Sequence, residues 1–290
     1  MKRLALASVL ACAVALLTAG CGRSAGDSNT VVATTAILAE ITQRVAGPRT
    51  EVEQLIPDGA SPHDFQLSAK ERALVADAGL VIANGGGLEA GLSLDSLEKA
   101  PYELMDHVGP LIRPTPDGPP DPHVWMNPER VAAALPSIAQ ELVKIDPEGA
   151  AGYRSRAKAY ARDLGALSKR MSATLASVPA RNRELVTSHD SLAYFAQAFD
   201  FDVVATPFPS SGPEAEASAA SVDEVERTIE RSQVPAVFPE ADSNPAILRG
   251  IAERTGVEVI LGLRVEAPGR GGYSAMLLAD ARLIAGGLSG

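Results

Sequence analysis

The sequence has little cysteine. It holds two, and Cys12 lies inside an apolar stretch at the N-terminus, so the rest of the chain can close no disulfide on itself. Stability must come from a hydrophobic core and from whatever the protein binds. A chain of 290 residues is long enough for such a core, in one large domain or two smaller ones. Basic runs are also missing. With 36 acidic against 26 basic residues and a formal charge of −10, the chain is a poor match for nucleic acid. The leading apolar stretch, Leu4 to Leu17, is shorter than the roughly 20 residues a membrane-spanning helix needs. There is no H-E-x-x-H pair and no cysteine nucleophile. Histidine is scarce too, with four in the whole chain.

What is present begins at the N-terminus. Met1-Lys2-Arg3 is a basic start, Leu4 to Leu17 an apolar segment, and Ala19-Gly20 are small residues before Cys21. These are the parts of a secretory signal over residues 1–20. Ending on cysteine, it resembles a bacterial lipoprotein signal, which implies lipidation of Cys21 and anchorage on the outer face of the cell membrane. A plain signal peptide with an incidental cysteine is the other reading. Residues 21–29 then form a polar, small-residue tether. Loss of residues 1–20 removes Lys2 and Arg3 and no acid, taking the formal charge from −10 to −12.

From residue 30 onward, β-branched runs alternate with helical periodicity. Strands are expected at Thr30–Thr34, Thr50–Ile56, Gly79–Asn84, Glu184–Ser188, Phe201–Ala205, Ala236–Pro239 and Val257–Val265. Such alternation specifies an α/β fold of parallel sheet flanked by helices. Asn127-Pro128, Asp146-Pro147 and Asn244-Pro245 each read as a helix start. After Pro147, Tyr153, Ala157, Tyr160, Leu164, Leu167, Met171 and Leu175 recur on one helical face. A helix over 147–178 would be about 48 Å long. The pattern therefore predicts two lobes, 30–146 and 179–290, joined by one long rigid backbone helix over 147–178. Pro207–Ala220 is rich in Pro, Ser and Ala and is expected to be a mobile loop.

Of the four histidines, His63, His123 and His189 fall in strand-to-helix connections, and His107 does not. Those connections lie at the carboxyl edge of parallel sheets, where ligands bind. Neutral imidazoles at three positions suit zinc, copper or nickel, commonly with a carboxylate to complete the set. Glu266 and Glu240 each follow a strand and are candidates for that carboxylate. Asp64 and Asp190 each follow a histidine and could orient an imidazole instead.

The segments Pro62-His63-Asp64-Phe65, Leu80 to Gly85 with Leu88-Glu89, Asp121-Pro122-His123-Val124-Trp125-Met126-Asn127-Pro128 and Thr187-Ser188-His189-Asp190 stand in that order. Together they resemble the zinc/manganese class of ABC-transporter solute-binding proteins, the metal-binding cluster A-I family. The resemblance covers essentially all of the chain after the signal, and the 121–128 stretch is its most specific part. It implies two lobes with a metal at their interface, held by His63 and His123 from the first and His189 from the second. It implies Zn2+ or Mn2+ as transported ligand, an ABC permease and its ATPase as partners, and no enzymatic role. The fourth position departs from the family, which places an Asp where this chain has Val265-Glu266-Ala267. Glu266 is the substitute, with water or Glu240 as alternatives. Three nitrogens and one oxygen favour zinc over manganese. A histidine-rich loop common in zinc members is replaced here by Arg113 to Pro120.

Competing readings have their own residues. Gly85-Gly86-Gly87-Leu88-Glu89-Ala90 with Asp106 fits a dinucleotide fingerprint, out of place in an exported protein. The same three histidines could serve a metal-dependent hydrolase. Nothing in the sequence speaks for or against an adhesive role in cell adhesion. The chain is expected to be a monomer that captures metal and hands it on, with small shifts of the second lobe and of the 207–220 loop.

Overall fold

The computed structural model describes residues 30–115, 117–208, 217–241 and 243–289, the side chain of Asp95 apart. The secretory segment, Cys21, the tether and residues 209–216 of the proline-rich loop lie outside the described residues.

The first lobe is a parallel sheet. Its strands are β1 (Val31–Ala33), β2 (Val52–Gln54), β3 (Leu80–Ala83) and β4 (Tyr102–Glu103), in the order β2-β1-β3-β4. Val31 pairs with Val52 on one side and Leu80 on the other. Val31, Val32 and Ala33 are fully buried, as a central strand covered on both faces must be. The second lobe has β5 (Glu184–Val186) beside β6 (Asp202–Ala205) and β7 (Ala236–Val237) beside β8 (Glu258–Val259), both pairs parallel. A bridge between Thr187 and Phe238 and the bond from Phe238 N to Val186 O at 2.8 Å join β5 to β7. The order is thus β6-β5-β7-β8, and each lobe places its first strand between its second and third.

Local chemistry sets the helices. In α1 (Ala36–Ala46), the Thr35 hydroxyl accepts from Leu38 N and Gly47, at φ 63°, ends the helix. The Arg156 guanidinium donates to the carbonyls of Val45 and Ala46 at 2.8 and 2.7 Å, satisfying the end of α1 from another helix. α2 (Ala69–Asp77) opens with a capping box between Ser68 and Glu71. In α3 (Pro128–Ile145) the Asn127 side chain accepts from Glu129 N and Arg130 N, with Pro128 in the first turn. The long helix, α4, covers Ala150–Leu175, and Pro147–Gly149 form a separate 3-10 turn. It is shorter than the sequence predicts, about 39 Å for 26 residues. Asp146 stands at the N-cap position of the Pro147–Gly149 turn. Its carboxylate is taken by Arg49 at 2.8 and 3.0 Å and by the Tyr153 hydroxyl at 2.5 Å.

The remaining helices are α5 (Ala193–Phe199), α6 (Ala219–Ser232), α7 (Ala246–Thr255) and α8 (Tyr273–Leu288). Asn244 does cap: its side chain accepts from Ala246 N at 3.0 Å. The strand expected over Val257–Val265 is interrupted. Only Glu258–Val259 pair as β8, Gly262 turns the chain at φ 109°, and Leu263 regains the sheet through one bridge to Glu240.

The predicted face of α4, from Tyr153 to Leu175, is buried against α1, α3 and α8. One hydrophobic cluster runs from Val31 and Ile41 through α3 and α4 to Leu185, Phe195, Phe238 and Ile284. The lobes therefore share a core. Smaller clusters line the outer face of each sheet, around Val75 in the first and Ile251 in the second. Among the described residues, no helix is long and apolar enough to cross a membrane.

Candidate metal centre

The carboxyl edges of the two sheets face each other, and the connections leaving them carry the candidate donors. His63 follows β2 after a turn at Pro57–Gly59, and its side chain is 7% exposed. His123 lies at the start of the 3-10 turn Val124–Met126 and is buried. Asp121 Oδ1 accepts both from His123 N at 2.8 Å and from His123 Nδ1 at 2.7 Å. The buried Asn84 amide donates to Pro122 O at 2.8 Å, fixing the same loop from β3.

His189 follows β5. Beneath it the buried Glu240 carboxylate accepts from Ser188 N at 2.9 Å and Ser191 Oγ at 3.0 Å, and lies 3.5 Å from His189 Nδ1. Glu266 follows Val265, whose carbonyl accepts from Trp125 Nε1 at 2.8 Å. Its Oε1 is 3.5 Å from His63 Nε2.

One donor atom from each of His63, His123, His189 and Glu266 lies within 4.8 Å of all the others. His123 Nε2 and His189 Nε2 are 3.3 Å apart. Zinc bonds of about 2.0–2.1 Å place the corners of a tetrahedron about 3.3–3.4 Å apart, so this edge and the His63–Glu266 edge match such an ion. The tautomers agree. A carboxylate accepts at Nδ1 of His123 and faces Nδ1 of His189, which favours a proton there and turns both Nε2 atoms inward. Two Nε2 atoms at that distance need a shared proton or a cation between them.

The electrostatics divide the histidines. Burial, then the charges of His123 and His189, lower the His63 pKa to about 3, so this ring is neutral at physiological pH. Burial also acts to lower His189, but the hydrogen bond and charge of Glu240, with Glu266 and Asp190, outweigh it and the net shift is upward. Glu240 shows the reverse: burial raises it, and His189 brings it below the ordinary glutamate value. On the far side of Glu266 a cleft lined by Thr35, Gln54, Asp58, Ser61 and Pro62 opens toward solvent.

Several expected roles change. Glu240 lies on the Nδ1 side of His189 and outside the group of four converging donor atoms. Asp64 is exposed, and the carboxylate that orients an imidazole in the first lobe is Asp121, which sequence reasoning passed over although it stands two residues before His123. Asp190 is half-buried and acts on His189 through its charge. His107 stacks on Tyr102 at 4.7 Å, away from the site. The glycine turn at 85–87 cradles no phosphate. Glu89 fills it, accepting from Asn84 N, Gly85 N and Thr34 Oγ1 at 2.7, 3.1 and 2.6 Å, and a Cβ at Gly86 would run into Met105 Sδ.

Comparison with known proteins shows the family and the fold. The family described as zinc-uptake complex component A, periplasmic (ZnuA) matches residues 31–287. The chain is 28% identical over 290 residues to the manganese-binding lipoprotein MntA of Halalkalibacterium halodurans, covering 97% of this chain and 95% of that one. It is 30% identical over 234 residues to the iron-binding protein YfeA of Yersinia pestis, covering 79% and 74%. The solved structure of the periplasmic zinc binding protein TroA from Treponema pallidum superposes with a TM-score of 0.81 at 23% identity, over 89% of this chain and 98% of that one. At that identity the likeness concerns the fold.

Proposed function

The chain belongs to the zinc-uptake complex component A family, and from that premise we propose that it is the extracytoplasmic solute-binding protein of an ABC importer. It captures a divalent transition metal between its lobes and delivers it to the permease, which an ATPase drives. The observation that carries this reading is the meeting of His63, His123, His189 and Glu266, with donor atoms within 4.8 Å of one another. Three imidazole nitrogens and one carboxylate oxygen favour zinc, with manganese next. The relatives' names divide among manganese, iron and zinc, so the preference rests on the donors.

In this reading residues 1–20 are removed, Cys21 is lipidated and residues 21–29 tether the protein to the outer face of the cell membrane, in line with relatives named as lipoproteins. Lobes 30–146 and 179–290, joined by 147–178, then work as a monomer. A hydrolase on the same histidines would need a coordination position open to water. Glu266 as fourth donor fills it.

The test is a competitive titration of zinc and manganese into chelator-stripped protein beside His123→Ala. One-to-one zinc binding, tighter than manganese and weakened more than about 100-fold in the variant, is expected, since even groups behind the ligands are worth about 10–100-fold. Binding of neither metal, or binding untouched by the substitution, would remove the reading.

A further inference from the structure

We infer that Trp125 is a positioning residue for Glu266, so that one side chain of the first lobe sets where the second lobe's carboxylate stands. The inference rests on the reading of Glu266 as a ligand. Between Val265 and Tyr273 the loop runs through Ala267, Pro268, Gly269, Arg270, Gly271 and Gly272, half-buried or exposed throughout. Glycines at φ 66° and 77° give such a segment little stiffness of its own. It is pinned at both ends, and both pins lead to Trp125. The indole N–H donates to Val265 O at 2.8 Å. The Trp125 carbonyl accepts from the Tyr273 hydroxyl at 2.5 Å. These contacts join residues 140 and 148 positions apart in sequence, and all three residues are buried.

A third tie supports the second pin. Glu40 of α1 accepts from Tyr273 N at 2.7 Å, and a Cβ at Gly272 would come within 2.7 Å of the same carboxylate. Trp125 also stands two residues after His123, its ring edge-on to that imidazole at 5.2 Å. The geometry of two donors from different lobes is therefore referred to a single residue, through its indole at one end of the loop and its carbonyl at the other. Loss of the indole N–H leaves a buried carbonyl unmatched and frees the residue next to Glu266, while His123 keeps its bonds to Asp121.

The experiment is a double-substitution cycle on the mature protein, reading zinc affinity by chelator competition for wild type, Trp125→Phe, Glu266→Ala and the pair. Trp125→Phe keeps an aromatic ring beside His123, removes the donor and leaves a smaller ring in the buried space, a packing loss that the Glu266→Ala background shares. A 10–100-fold loss is expected in the wild-type background, falling to less than about two-fold once Glu266 is already alanine. An equal loss in both backgrounds, or no loss in either, overturns the inference. So does a Glu266→Ala protein that binds zinc as tightly as wild type, an outcome that leaves the three-histidine site standing. A wild type that binds neither metal removes the underlying function as well. If Trp125→Phe does not fold, as judged by circular dichroism, the same cycle with Tyr273→Phe tests the second pin and is read in the same way.

Discussion

In the first lobe a buried glutamate beyond the third strand, Glu89, takes its hydrogen bonds from Thr34, Asn84 and Gly85. In the second, Glu240 stands beyond the third strand and takes its bonds from Ser188 and Ser191, beside His189. Strand order and placement are the same, since each glutamate reaches across to the chain leaving its lobe's first strand. What differs is the partner. Thr34-Thr35-Ala36 offers Glu89 a hydroxyl and no cation, and burial pushes its pKa up. Ser188-His189 offers Glu240 an imidazole, and its pKa falls although it is buried just as deeply. One plan thus yields a carboxylate that closes a turn and a carboxylate that orients an imidazole, and the partner carried by the chain leaving the first strand, Thr34 in one lobe and His189 in the other, decides which.

The contrast breaks most clearly under matched substitutions. Glu240→Gln should weaken zinc binding about 10–100-fold, because His189 loses the carboxylate charge that favours a proton on Nδ1. Glu89→Gln should leave affinity within a few-fold, and equal losses in a chelator-competition titration would mean the two glutamates do the same work. The next effect is on stability. In Glu89→Gln one of the three donors now meets an amide N–H, a cost of about 1–2 kcal/mol, to be read as a lower denaturant midpoint of the metal-free protein.

The smallest effect is in pH. A proton on His189 goes to Nε2, the atom that would hold the metal, and its pKa is raised above 6.5. Metal affinity should therefore fall as pH drops through that raised value, while His63, neutral down to about 3, adds no competition in the physiological range. The metal-free protein should follow the same groups. His189 contributes stability that is lost as pH rises from 6.5 through its raised pKa. His63, depressed in the fold, contributes stability that is lost as pH falls below 6.5 toward 3. Denaturant midpoints across pH should thus peak near 6.5 for these two groups together. Glu240→Gln should move the affinity inflection to lower pH, and Glu89→Gln should leave it in place.

The sequence was most legible where the physics is local. Asn127-Pro128 is a cap readable from two adjacent residues, and the buried face of α4 is readable from spacing alone. Asp146-Pro147 does open the helical segment, but the pairing of its carboxylate with Arg49, 97 residues away, leaves no local signal. The last strand was over-extended because the apolar run hides the turn at Gly262. At the site, histidine scarcity and strand ends were enough to select three residues. The two carboxylates were separable only as a preference, Glu266 first and Glu240 as an alternative; the structure puts Glu240 on the Nδ1 side of His189 and Glu266 beside His63 Nε2.

Trp125 is the one tryptophan in the chain, and its ring centre lies 5.2 Å from that of His123. All indole fluorescence from the protein therefore originates beside the candidate metal centre, from a ring hydrogen-bonded to the residue before Glu266. The molecule contains its own optical gauge of occupancy, readable without a label or a chelating dye.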